Sequence, residues 1–199
     1  MPEQDLVELA VDASLWERCF TVTPLVLIGT REAGGADDLA PKHMVTRFGW
    51  QNYFAFVCSP RHGTYQNVQR ERAFTVSFPK PEGLLETTLA ASPREADGTK
   101  PITFALGTFP AQRVDAPLLT EGYAFLECRL ARVVDGFGEE CLIVGEVIAA
   151  SVRGSYLRQA DRDDHQMLAD SPLLAYVYPG RFAVIRETHA FPFAEGFKS

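Results

Sequence analysis

At 199 residues the chain has room for one sizeable core and nothing in it demands two, so residues 1–199 are read as a single domain. Hydrophobic residues make up 46% and charged residues 23%, the balance of an ordinary soluble globular protein. The net charge of −7 argues against duplex nucleic acid or an anionic membrane as the main partner. A local basic pocket for a small phosphorylated ligand remains compatible with it.

The first five residues, Met1-Pro2-Glu3-Gln4-Asp5, are acidic and lack the basic and apolar blocks of a signal peptide. Residues 12–20 read as a short helix capped by Asp12 or Ser14, with Leu15, Cys19 and Phe20 on one side. Leu25-Val26-Leu27-Ile28-Gly29-Thr30 is a β-branched strand ended by a turn at Gly34-Gly35. Tyr53-Phe54-Ala55-Phe56-Val57-Cys58 is a buried strand, and residues 64–72 form the helix after it. Phe74-Thr75-Val76-Ser77-Phe78 alternates apolar and polar as a half-buried strand does, until Pro79 and Pro81 break it. A second helix falls within residues 83–91, and residues 92–100 make a polar connection with the character of a mobile loop.

Residues 123–134 and 141–152 form two long strands around a turn at Asp135-Gly136-Phe137-Gly138. Residues 154–170 are polar and partly helical. The chain closes with a hairpin of residues 174–178 and 182–187, turned by Pro179-Gly180. The longest apolar runs, 25–29 and 141–145, are too short to span a bilayer. Cys19, Cys58, Cys128 and Cys141 lie in apolar contexts without a Cys-x-x-Cys pair and read as structural thiols of a reducing, cytoplasmic compartment. Six or seven strands, mostly without the intervening helices that parallel pairing needs, point to a mainly β protein. The architecture expected is an antiparallel barrel with a few helices at its openings, and dimerisation would help cover its edges.

Two segments carry the candidate chemistry. One is Thr30-Arg31-Glu32-Ala33-Gly34-Gly35 followed by Asp38-Leu39-Ala40-Pro41-Lys42-His43. The other is Ser59-Pro60-Arg61-His62-Gly63-Thr64, running into the helix that carries Asn67. A hydroxyl, a guanidinium and an amide at a strand-to-helix junction are good phosphate ligands, and the helix start adds N–H groups and partial positive charge. Thr64 and Asn67, three apart, can face one phosphate from the first turn. Arg61 offers a fork that lysine lacks, whereas His62 reads as a solvated loop residue. The bland alternative is an N-cap threonine, a solvated asparagine and a simple Ala-Pro turn. Phe48, Trp50, Tyr53 and Phe54 give an aromatic density able to stack on a flat ring, although such residues are more often core, and Trp50, after Gly49 in a polar turn, is the one to test. The cluster Asp161-x-Asp163-Asp164-His165 lacks the pattern of a calcium or zinc site and reads as a solvated helix face. No dinucleotide fingerprint, Walker loop or nucleophile elbow is present.

Taken together, these stretches resemble the flavin reductase-like proteins, whose fold is an FMN-binding split barrel of antiparallel Greek-key type. The likeness rests on residues 25–30 with Asp38-Leu39-Ala40-Pro41, on Ser59-Pro60-Arg61-His62-Gly63-Thr64-x-x-Asn67 with residues 74–78, and on three later stretches in the family's order. These are Ala116-Pro117-Leu118-Leu119, Phe125-Leu126-Glu127-Cys128 and Ile143-Val144-Gly145-Glu146-Val147. It spans about residues 20–182. The resemblance implies FMN at a homodimer interface, with NADH or NADPH as co-substrate and a monooxygenase or other acceptor downstream. It also implies FMN-binding roles for Thr30, Asp38, Leu39, Ala40, Pro41, His43, Ser59, Arg61, Thr64 and Asn67. The cofactor carries the chemistry, so no side chain is assigned a catalytic role and no metal is expected. Two rivals stand beside this reading: an FMN-binding electron-transfer protein without nucleotide activity, and a non-catalytic split-barrel module. The family's asparagine is Asp38 here, its following serine falls at His43, and a histidine that often precedes the 143–147 strand is replaced by Glu140.

Overall fold

A computed structural model describes residues 6–95 and 100–193. Twelve strands and three α-helices follow the order β1 (Thr21–Pro24), β2 (Val26–Arg31), β3 (Asp37–Lys42), β4 (Val45–Arg47), β5 (Tyr53–Cys58), α1 (Gly63–Glu71) and β6 (Ala73–Pro79). Then come α2 (Leu84–Leu89), β7 (Thr108–Pro110), β8 (Pro117–Leu119), β9 (Gly122–Phe137), β10 (Glu140–Val152), α3 (Asp164–Asp170), β11 (Leu173–Tyr178) and β12 (Arg181–Ile185). Seven strands form a curled antiparallel sheet in the order β3-β2-β6-β9-β10-β5-β4, beside a three-stranded sheet β1-β11-β12 and the short pair β7-β8. This is the mainly β split-barrel architecture that the resemblance implied.

The side-chain alternation of β2 divides the interior in two. Val26 and Ile28 point into a core with Phe54, Phe56, Val68, Phe74, Val76, Cys128 and Ile143. Leu27 points the other way, to Leu39, Ala90, Leu106 and Leu119. Period-two geometry thus makes one strand serve both cores, which is why it is buried on both faces. Gly29 has to be small: a Cβ there would lie 2.2 Å from the Pro117 carbonyl oxygen and the Thr75 hydroxyl. Glu127, buried in β9, accepts hydrogen bonds from the backbone N–H groups of Gln112, Arg113 and Val114 and so fixes the approach to β8.

Several sequence expectations shift. The helix over 12–20 is a single 3-10 turn, Leu15–Arg18, which buries no residue, and the Ser14 side chain does not cap it. Cys19 is exposed and not in an apolar setting, while Cys58, Cys128 and Cys141 are buried, and all four are free thiols. The Ala-Pro segment, a simple turn in the bland alternative, is part of strand β3. It lies at the edge of the sheet, where the donor that Pro41 lacks is not needed by a neighbour. The turn expected at 135–138 comes later, at Gly138-Glu139, because Gly136 adopts φ 103° and the ladder continues to Phe137. Twelve strands replace six or seven, since β1, β4, β7 and β8 have three or four residues each and are too short to show a period. The central part of the expected loop at 92–100, residues 96–99, lies outside the described residues. Among the described residues no helix is long and apolar enough to cross a membrane.

Candidate functional site

Helix α1 starts where β5 ends. His62 precedes it in extended conformation without capping through its side chain, and its carbonyl accepts the first helical bond, from Gln66 N–H at 3.3 Å. The N–H groups of the first turn therefore have no partner inside the helix, and they carry the positive end of its dipole. The helix is seated by what it buries: Thr64, Asn67 and Val68. Asn67 Nδ2 donates to Thr30 Oγ1 at 3.0 Å, a bond sealed between α1 and β2. Thr64 lines the cavity in front of the helix, whereas Asn67 and Thr30 do not.

That cavity, of about 470 Å³, brings together Asp38, Ala40, Pro41, Arg61 and Thr64 from the sequence expectation. To these it adds Lys42, His62, Gly63, Ser92, Arg94 and Lys100. Arg61 projects outward, 75% exposed, with its Nη2 2.9 Å from Glu139. Asp38 is the opposite case: its side chain is 2% exposed and is paired with Lys100 and Arg94, each at 3.2 Å. Ser59 is buried, and its hydroxyl accepts a long bond of 3.4 Å from the Arg61 N–H. Leu39 is a core residue whose carbonyl accepts from Lys100 Nζ at 2.6 Å.

A second cavity, of about 280 Å³, continues along β3 and is mostly apolar. His43 lines it, with Leu25, Pro41, Thr87 and Thr88, and Tyr176 and Phe182 close the far side from β11 and β12. The His43 ring stacks on Tyr176 at 4.3 Å and lies 5.8 Å from Tyr178. Burial and the neighbouring Lys42 charge push the His43 pKa below 6.5, which keeps the ring neutral at physiological pH. A third recess, of about 140 Å³, lies between His43, Cys58, His62 and Glu140. Burial raises the Cys58 thiol, so it is no ready thiolate, although His62 Nδ1 lies 3.9 Å away. Pro41 and Lys42 line all three spaces. One edge strand is their common wall.

Trp50 is elsewhere. It is 87% exposed, under the Arg47 guanidinium, in a groove of about 660 Å³ that shares no lining residue with these three cavities. Phe54 is buried in the core, while Phe48 and Tyr53 are exposed. In the acidic stretch, Asp163 caps α3 by accepting from Gln166 N–H, Asp164 pairs with Arg158, and His165 Nδ1 lies 2.9 Å from the Thr188 carbonyl. Among the described residues no group of histidine, cysteine and carboxylate side chains is placed to hold a metal.

The sequence gives no role of their own to Lys42, Arg94, Lys100, Tyr176 and Phe182. A signal existed for two of these, because Arg94 and Lys100 are the only cations of the 92–100 connection. Tyr176 and Phe182 gave none, since only tertiary folding brings the last hairpin back to β3.

Residues 18–178 match the family model described as "Flavin reductase like domain". No curated protein matches the chain in sequence. The fold is similar to that of flavoredoxin of Desulfovibrio vulgaris (Miyazaki F), with 20% identity and a TM-score of 0.76 over 96% of this chain and 100% of that one. It is also similar to Pseudomonas fluorescens 2-nitrobenzoate 2-nitroreductase, with 15% identity and a TM-score of 0.73 over 89% of this chain and 87% of that one. A third similar structure is the Streptomyces globisporus C-1027 NADH:FAD oxidoreductase, at 16% identity and a TM-score of 0.70 over 92% of this chain and 98% of that one. At such identities the structures speak for the fold alone, but the family model covers most of the sequence. The chain, with its helix start facing a cationic cavity on an edge strand, belongs to the flavin reductase-like domain family of flavin-binding oxidoreductases.

Proposed function

We propose that the protein binds FMN along β3 and uses NADH or NADPH to reduce it. The observation that carries this reading is that the cationic and apolar cavities lie side by side on β3, sharing Pro41 and Lys42 in their walls. The residues fit the cofactor in both halves. Lys42, Arg61, Thr64 and the first-turn N–H groups of α1 suit a phosphomonoester dianion. Pro41, Thr87, Thr88, Tyr176 and Phe182 suit a flat, amphipathic ring. When bound, the flavin supplies a two-electron acceptor for hydride.

The chain's own contribution is binding and orientation. The pairing of β3 with β2 sets the wall, and His43, held against Tyr176, is a neutral side chain with a single N–H to offer. The family and the similarity to an NADH:FAD oxidoreductase support the nucleotide step. A homodimer goes with this reading: Phe182 lines the ring cavity yet is 53% exposed, and Val22 and Val184 of the same small sheet are 65% and 38% exposed. The test is a titration of the purified chain with FMN, followed by anaerobic mixing of the complex with NADH or NADPH. Fast bleaching of the flavin is expected; binding without bleaching leaves the electron-transfer reading, and no binding at millimolar FMN overturns both.

A further inference from the structure

Asp38 sits on an edge strand and lines the cavity in front of the start of α1, yet its side chain is almost wholly buried. Two cations reach it from opposite ends of the 92–100 connection. Lys100 Nζ meets Oδ1 and Arg94 Nη2 meets Oδ2, so each carboxylate oxygen serves one cation. Each cation also has a second acceptor: the Leu39 carbonyl for Lys100, and the Glu32 carboxylate for Arg94. A carboxylate removed from water is tolerated only when it is paired in this way.

Arg94 then reaches α1. A Cβ on Gly63 would come within 2.7 Å of Arg94 Nη2 and 3.1 Å of Cζ and Nε, so the guanidinium lies against the backbone where the helix begins. A residue with a side chain at that position would push it away. Lys100 and Arg94 both line the cavity in front of that helix start.

We propose that Asp38 is a positioning residue for phosphate recognition: without touching the ligand, it fixes Lys100 and Arg94 at the rim where a phosphomonoester dianion meets the first turn of α1. The inference rests on the FMN reading above and deepens it. The chemistry requires aspartate. An asparagine of the same shape has one acceptor oxygen and an amide that only donates, so it can hold one of the two cations and turns N–H groups toward the other. Removing the carboxylate also relieves repulsion of the phosphate, an effect of opposite sign. Loss of positioning outweighs that relief, because Lys100 and Arg94 each lose the carboxylate oxygen that holds them at the rim.

The test compares FMN with riboflavin, which lacks the phosphate, in titrations of the full-length chain. Wild type is expected to prefer FMN. Asp38→Asn should reduce that preference on the order of tenfold, with riboflavin affinity unchanged. Lys100→Met should reduce it too, and the double variant should fall no further than the larger single effect, because both act through one cluster. An unchanged or increased preference in Asp38→Asn overturns the inference, as does equal weakening of both ligands, the mark of a purely structural role. Should Asp38→Asn fail to fold, Arg94→Lys reads the same point: it keeps the charge but not the plane laid on Gly63. Unchanged preference there overturns the inference as well. A wild type that binds both flavins equally removes the phosphate reading itself, and this inference with it. A wild type that prefers FMN beside an Asp38→Asn variant that does so equally removes the inference alone.

Discussion

Asn67 separates two roles that its position in the sequence leaves open. It is 2% exposed, Thr30 is wholly buried, and the bond between them spans 3.0 Å. Asn67→Ala removes that bond, worth about 1 kcal/mol net, and leaves the Thr30 hydroxyl without its donor at a further cost of about 1–2 kcal/mol. The space vacated by the amide adds up to about 1 kcal/mol. The sum, about 2–4 kcal/mol, corresponds to a drop in Tm of roughly 4–16 °C for a chain of this size. Thr30→Val should cost less, and a double-mutant cycle should give a coupling of about 1–2 kcal/mol. Thermal denaturation followed by far-UV circular dichroism measures these losses, and titration with FMN and riboflavin completes the experiment. The folded variant should keep its preference for FMN. A Tm within a degree of wild type, together with FMN affinity cut tenfold and riboflavin affinity intact, refutes the reasoning and makes Asn67 a phosphate ligand.

Arg61→Ala should weaken FMN by up to about tenfold and riboflavin hardly at all, less than a fully engaged arginine would, because Glu139 competes for the guanidinium. Glu139→Gln should strengthen FMN binding at low salt and lose that effect at high salt, since both side chains are exposed and screened; fluorescence titration at two ionic strengths checks the pair. His43 has a pKa below its ordinary 6.5 in the folded chain, so the unfolded chain takes up the proton first. Its contribution to stability is complete above about pH 6.5 and is lost as pH falls toward the folded value. The Tm of His43→Gln should therefore fall less steeply than that of wild type between about pH 6.5 and 5, and parallel curves would contradict the assignment. Glu140 lines the recess beside His43 and His62. Glu140→His should lower the Michaelis constant for NADH or NADPH at low salt and less so at high salt, whereas a constant unmoved at both places Glu140 outside the nucleotide path.

The long elements were legible because their patterns are long enough to have a period. The strand 53–58 agrees residue for residue with β5, and the helix after Gly63 agrees with α1 to within one residue. β3 was not legible, because Pro41 argues against a strand unless its place at the sheet edge is known, and edge position is a property of the whole sheet. For the site, residue type carried the reading as far as the helix start and no further. Arg61 and Thr64 lie at the cavity as the motif suggested, but Asn67, on the same turn as Thr64, points into the interface with β2. Which member of an i, i+3 pair faces a ligand depends on how the helix is rotated against the sheet, and buried packing sets that. Asp38, which stands where the family has asparagine, finds partners more than fifty residues away in sequence, and no local pattern discloses that pairing.

The edge position of β3 has a consequence for how binding would feel to the molecule. A strand bonded to one neighbour can loosen without opening the sheet, so the shared wall of three cavities belongs to the part of the barrel that exchanges its amide hydrogens soonest. β2, one strand inward and locked into both cores, should exchange only with global unfolding. A ligand laid along Pro41, Lys42 and His43 then acts as the missing eighth strand in one respect: it adds restraint on the unpaired side. Its affinity must include the cost of stilling that strand, and the gain in hydrogen-exchange protection should stop at β2.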